Sequence, residues 1–351
     1  MHHSQINADV RKQIADGTVL PAHPLALTAE RQLDRTHQRA LTRYYIDAGS
    51  GGLAVGVHTT QFAIRDVGLY RPVLELAAET AASWTKRPLA MVAGLAGSTK
   101  QAITEARTAR DIGYHAGLLS LAAMKSASED EIIAHCTAVA AEIPLVGFYL
   151  QPAVGGVILS SRFWQRFASI DNVIAIKIAP FNRYRTLDVL RGVAAAGALD
   201  RVALYTGNDD HILLDLMLPF DLRDKGVTTR TYFKGGLLGH WSVWTASAIK
   251  QFERCKAARH KDSVPADLLA LDARVTDCNS AFFDVANNFH GCIAGCHEVL
   301  RRQGLLQGLW CLDPDEGLSP GQQEEIDRVC REHADLADDA FVAANLDKWL
   351  A

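Results

Sequence analysis

The run 173-VIAIKI-178, with 144-PLVGFYL-150 before it, decides the fold class. Neither run alternates apolar with polar side chains, so neither reads as a strand with one wet face. Both read as strands buried on two sides, the pattern of a parallel sheet covered by helices. Runs of the same kind recur on either side: 18-TVLPAHPLAL-27, 53-LAVGV-57, 89-LAMVAGL-95, 116-AGLLSLA-122, 202-VALYTG-207 and 233-FKGGLLG-239. Between them lie stretches with helical spacing, such as 67–84 and 99–113. The second has Ser98-Thr99 as its cap and Gly113 as its stop. A helix from Ser128 to Ala141, capped by Ser126 or Ser128, carries Glu129, Asp130 and Glu131 in its first turn, where carboxylates suit the helix dipole.

Eight such strands with seven intervening helices predict an α/β chain folded as a (β/α)8 TIM barrel. The competitor with the same alternation is an open doubly wound sheet, but no G-x-G-x-x-G follows the first strand. Gly94-Leu95-Ala96-Gly97-Ser98-Thr99-Lys100 has the residues of a phosphate loop in the wrong order and is discarded. From about Trp241 the chain reads helical, through 241–259, 264–287 and 294–304, with a final helix near 319–334 capped by Ser319. The expected organisation is a barrel over 18–257 and a C-terminal helical extension over 258–351 packed on it.

Among 351 residues, Lys and Arg number 36 against 40 Asp and Glu, a formal charge of −4. That leaves no basic excess to neutralise phosphates, so nucleic acid is not an expected partner. No apolar stretch is long enough to span a bilayer. Residues 1–17 are polar and lack the apolar core of a secretory signal, so the expectation is a soluble, cytoplasmic protein. The seven cysteines read as free thiols in a reducing compartment. A metal site from Cys292, Cys296 and His297, with Cys278 nearby, is the sharper alternative. It lacks the second ligand pair that structural zinc sites carry, so no metal is expected.

In a barrel of this kind the chemistry sits where strands end and βα loops begin. Lys177 is the one charge in its strand, and burying a free ammonium there is costly. It must pair with a carboxylate, titrate low, or snorkel out of the strand end. As a neutral amine it can attack a carbonyl and form an imine. Tyr149 stands 28 residues earlier, at the end of the preceding strand, where a phenol could carry protons or simply pack. His58, Thr59 and Thr60 offer hydroxyls and an imidazole on one loop, fit to hold a carboxylate or to cap the next helix. Gly207 and Asn208 end the seventh strand.

This constellation resembles the dihydrodipicolinate synthase / N-acetylneuraminate lyase family of class I, Schiff-base-forming aldolases, over roughly residues 18 to 335. The resemblance rests on Lys177 in NVIAIKIA, Tyr149 in GFYLQP, the GVHTTQF loop, YTGNDD, and the late GLLQGLWCLDPDEGLSPGQQEEID. It implies an imine between Lys177 and a 2-oxo acid such as pyruvate, with Tyr149 as proton shuttle. It further implies Thr59 or Thr60 as carboxylate anchor; His58 and Asn208 are candidates to touch the variable end of the substrate, and Gly207 is counted with the substrate-binding residues. No cofactor or metal is implied, and a homo-oligomer, dimer or tetramer, is.

Departures narrow the reading. The glutamate that follows the family's Thr pair is here Gln61 or Phe62, depending on register. The aromatic pair after strand four is replaced by Leu121-Ala122-Ala123-Met124-Lys125, and the arginine after the Tyr-x-x-Pro segment by Ala153-Val154-Gly155. The reaction class is therefore kept and the lysine-pathway synthase set aside. Other outcomes are a dehydratase of a sugar-acid-derived 2-oxo acid, a barrel with weakened catalysis that binds a metabolite, or a metal-dependent aldolase using His58, His115, His211 and His240.

Overall fold

The computed structural model describes every residue except Lys225. Eight parallel strands form the barrel: β1 (Val19–Pro21), β2 (Gly52–Val55), β3 (Ala90–Leu95), β4 (Ala116–Leu119), β5 (Leu145–Leu150), β6 (Val173–Ala179), β7 (Ala203–Thr206) and β10 (Gly235–Leu238). They pair in the order β1-β10-β7-β6-β5-β4-β3-β2. A bridge between Ala22 and Ala54 closes the ring from β1 to β2. All eight coincide with the runs read from the sequence, because a strand covered on both faces must be apolar throughout.

The lumen is a packed core in its own right, filled by Leu20, Ala54, Val92, Leu118, Val146, Ile174 and Leu237 among others. Its N-terminal end is closed by α1 (Ala8–Asp16), a helix in the stretch that reads from sequence only as polar. That helix brings Val10 and Ile14, with Ile6 just before it, into the lumen core, and the Tyr205 hydroxyl donates to the Ile14 carbonyl at 2.8 Å. Apart from half-buried Gln13, the other side chains of α1 are exposed, so three apolar residues in a polar stretch carry the whole signal.

The outer layer is made of α2 (Arg35–Ala48), α3 (Tyr70–Trp84), α4 (Thr99–Ile112), α5 (Glu129–Ala140), α6 (Ser161–Ala168), α7 (Arg183–Ala195), the short α8 (Ile212–Met217) and α9 (Thr245–Ala258). Ser98 caps α4 and Gly113 ends it in the left-handed conformation, φ 105°, as the spacing predicted. Ser128 and Glu131 close a reciprocal capping box on α5. An antiparallel hairpin, β8 (Phe220–Asp224) and β9 (Val227–Thr231), is inserted between α8 and the last barrel strand.

Four helices follow the barrel: α10 (Ala266–Phe282), α11 (Cys292–Arg302), α12 (Gln322–Glu332) and α13 (Asp339–Leu350). The sequence reading ended at the third of these. Helix α13 is held on α2 by Trp349, whose ring lies 5.4 Å from that of Tyr44 and whose indole donates to Asp47 at 2.9 Å. Helices α10 and α11 and their connection lie over the C-terminal mouth of the barrel, and that placement completes the site.

Candidate active site

Along β6 the side chains of Ile176 and Ile178 enter the layer between barrel and helices, while Ala175, Lys177 and Ala179 face the lumen side. Lys177 thus opens on a cavity of about 700 Å³, counted out to its mouth, at the C-terminal end of the barrel. Its Nζ lies 4.5 Å from the centre of the Phe148 ring. Burial pushes the amine well below the ordinary lysine range, and the charge of Asp209 pulls it partway back. Asp209 follows β7, which neighbours β6. Burial raises its carboxyl, and Lys177 together with the His240 N–H, which donates to Oδ1 at 3.2 Å, partly offsets that rise. An amine and a carboxyl each biased toward the neutral form therefore share one cavity.

Gly207 lines the same cavity and packs against the stem of Lys177. A Cβ at that position would lie 2.7 Å from Lys177 Cε and 2.7 Å from Ala179 Cβ. His58 and Thr59 line the same cavity from the loop after β2. Burial, and then the charge of Lys177, push the His58 imidazole down to about 4, so it is neutral at physiological pH.

Three residues expected at the site are placed elsewhere. Thr60 is used up in shaping its loop: its hydroxyl donates to the His23 carbonyl at 2.6 Å and accepts from Gly56 N–H at 2.9 Å. Asn208 holds loops together, accepting from the Phe181 N–H at 3.1 Å and donating to Asp215 at 2.9 Å. Asp215 is itself buried and paired with Arg183. Tyr149 is the larger correction. Its ring is fully buried in the layer outside the barrel, 5.1 Å from Trp164, and its hydroxyl meets the Leu159 backbone at 3.3 and 3.4 Å. The residue paired with Lys177 across the β5–β6 ladder is Phe148, while Tyr149 pairs with Ile178. Neighbours along a strand face opposite sides, so Tyr149 cannot share the lumen with Phe148.

Sequence reasoning missed Asp209 as a site residue, although it stands in the quoted YTGNDD segment. Of the residues that line the cavity it also missed Phe181, Phe283, Phe289 and Ile293. All but Phe181 come from the C-terminal helices and their connection, read from sequence as an appendage. Of the sharper cysteine reading, Cys292 and Cys296 reach the cavity, whereas His297 is buried against the Leu309 carbonyl and Cys278 lies in the core. Among the described residues, the groups with ligand atoms close enough to share an ion are His2, His3 and Asp171, and Asp277, Glu332 and His333. Neither contains His58, His115, His211 or His240. No helix among the described residues is long and apolar enough to cross a membrane.

Comparison with known proteins shows the family and the fold. The Dihydrodipicolinate synthetase family matches residues 17–221. Relatives include the 4-hydroxy-tetrahydrodipicolinate synthases of Halorhodospira halophila, 26% identical over 182 residues, and of Moorella thermoacetica, 28% identical over 208 residues. These matches cover 52% and 57% of this chain, and 58% and 66% of the relatives' own length. Among solved structures, dihydrodipicolinate synthase from Acinetobacter baumannii complexed with pyruvate superposes with a TM-score of 0.73 at 20% identity, over 91% of this chain and 99% of that one. CdNal from Clostridium difficile in complex with mannosamine does so with a TM-score of 0.72 at 16% identity, over 90% and 98%. At such identities the structural likeness establishes the fold.

Proposed function

The chain belongs to the dihydrodipicolinate synthetase family, and from that premise we propose that it is a Schiff-base-forming aldolase or lyase of a 2-oxo acid, with Lys177 as the nucleophile. One observation carries this reading: a lysine amine opens on a mostly apolar cavity beside a buried carboxyl, with burial favouring the neutral form of each. The free amine attacks the keto carbon; the new N–C bond forms as the carbonyl electron pair moves to oxygen, which takes a proton. A second proton lets that oxygen leave as water, and the resulting iminium is an electron sink. In an aldol adduct the C3–C4 bond then breaks toward the iminium, leaving an enamine and an aldehyde. Protonation of the enamine and hydrolysis return pyruvate and the lysine.

These steps need a group that gives and takes protons near the imine. Tyr149 does not reach the lumen, whereas Asp209 lines the same cavity as Lys177 and has a carboxyl raised toward neutrality. Thr59 supplies a hydroxyl for the substrate carboxylate, and neutral His58 adds a hydrogen-bonding group without adding charge. The reading also includes a homo-oligomer, which sedimentation of the full chain would reveal.

The test is borohydride trapping with pyruvate and then with a panel of 2-oxo acids, followed by peptide mass mapping. Reduction should leave a stable adduct on Lys177. A folded protein in which no acid labels Lys177 would overturn the proposal.

A further inference from the structure

We infer that the cavity takes a 2-oxo acid whose far end is an aryl group or a comparably flat apolar group, an inference that rests on the imine reading above. The charged side chains that line the cavity, Lys177 and Asp209, both lie on the barrel side, where the keto acid would react. Toward the mouth the walls are Leu150, Val154, Phe181, Phe283, Phe289 and Ile293, with Gln151 as a polar exception. Among the described residues, no arginine or second lysine lines this cavity. A substrate with a carboxylate at its far end would leave that charge unpaired, and a polyhydroxy chain would leave several hydroxyls without partners. An aryl group instead meets aromatic walls, which attract rings beyond simple area burial.

The backbone shows that these walls are held in place. Phe181 and Phe289 come from different parts of the chain, yet their rings meet edge to face, 5.9 Å apart at 67°. Both sit in the left-handed region, at φ 47° and 66°, and so do Asp284 and Asn288 at 55°. For a phenylalanine this conformation is a genuine outlier. It is over-determined by Asp284, which accepts from Gly291 N–H at 2.9 Å, Asn287 Nδ2 at 2.7 Å and the Ser319 hydroxyl, while its carbonyl accepts the Phe289 N–H at 2.9 Å. Strained residues bound in this way cluster where function needs a fixed surface.

The corresponding reaction is cleavage of a 4-aryl-4-hydroxy-2-oxobutanoate. The C3–C4 electron pair passes into the iminium, the 4-hydroxyl proton passes to Asp209, and C3 is reprotonated. The products are an aryl aldehyde and pyruvate, and the water lost in forming the imine is regained on hydrolysis.

The experiment compares imine trapping by 4-phenyl-2-oxobutanoate, 2-oxoglutarate and 2-oxo-3-deoxygluconate, with pyruvate as reference. The first two differ only in whether phenyl or carboxylate occupies the far end. The phenyl acid should reach half-maximal trapping at a concentration at least about tenfold below the two polar acids. Phe289→Gln should cut that preference severalfold, and Phe289→Leu should keep most of it. If pyruvate labels Lys177 but the polar acids trap as well as the phenyl acid, the aryl inference is overturned and the lysine reading stands. If no acid labels Lys177, both fall.

Discussion

Replacing Gly207 by alanine tests the role proposed for the Lys177 amine while leaving that residue itself unchanged. The new Cβ would stand 2.7 Å from Lys177 Cε, 3.1 Å from Lys177 Cγ and 2.7 Å from Ala179 Cβ. Carbon atoms pack at roughly 3.5–4.0 Å, so the lysine stem must give way by about 1 Å. On another side the Phe148 ring, 4.5 Å from Nζ, limits where it can go. Gly207 is not among the glycines at positive φ, and its N–H bonds to the Ile178 carbonyl at 2.8 Å whatever the side chain. The added methyl therefore acts by crowding alone, at a stability cost of about 1–3 kcal/mol. A displacement of about 1 Å in a reacting group costs on the order of 100-fold in rate. The assay is the quenched-flow rate of borohydride-trapped adduct formation with saturating pyruvate, alongside a thermal melt. Gly317→Ala, where a Cβ meets nothing within 4 Å, is the control; its stability should stay within about 0.5 kcal/mol. A folded Gly207→Ala protein that traps pyruvate within threefold of the parent rate would refute the geometry argued for Lys177.

Tyr149→Phe should trap pyruvate within about threefold of the parent and lose about 0.5–1.5 kcal/mol of stability, since its hydroxyl only meets the Leu159 backbone; a loss of 100-fold in rate would restore the phenol to the chemistry. Asp209→Asn should slow imine formation by about 100-fold. It should also move the pH profile of trapping to lower pH, because the aspartate charge raises the lysine pKa; an unchanged rate and profile would remove Asp209 from the mechanism. The buried histidines His23, His58, His240 and His297 are each pushed down to about 4 by burial. The unfolded chain takes up protons at about 6.5 and the fold does not, so stability falls as pH drops from 6.5 toward 4, by about 2 kcal/mol per histidine at pH 5. The urea midpoint should therefore fall steeply between pH 6.5 and 5, and a flat midpoint would contradict the neutral assignment.

The barrel was legible because its strands are sandwiched. A strand such as Val173–Ala179, apolar on both faces, has few other places to be, and the one charge within it marks the lumen. The mouth was not legible. Phe283, Phe289 and Ile293 sit in stretches whose spacing fits an ordinary packed helix and its connection, and only the folded chain brings them over the barrel. Helix α1 escaped for a related reason: Ile6, Val10 and Ile14 are too few to lift its polar stretch above a solvated segment.

Tyr149 shows where spacing stops being a guide. At the start of the ladder Leu145 pairs with Val173, an offset of 28 residues, and that offset would set Tyr149 directly opposite Lys177. The next pair is Val146 with Ala175, so Ile174 is an extra residue on β6 and the offset becomes 29. Ile174 and Ala175 consequently both face the lumen, as the two residues of a bulge do. From there on Phe148, not Tyr149, is Lys177's partner. A slip of one residue exchanges the two faces of a strand, so the same 28-residue spacing that suggested a phenol beside the amine places that phenol on the other side of the sheet. The apolar runs on both strands fit either register, and only the bulge separates them. Whether this barrel passes protons through a phenol or through the carboxyl of Asp209 therefore turns on Ile174, and Tyr149→Phe measured beside Asp209→Asn decides between the two.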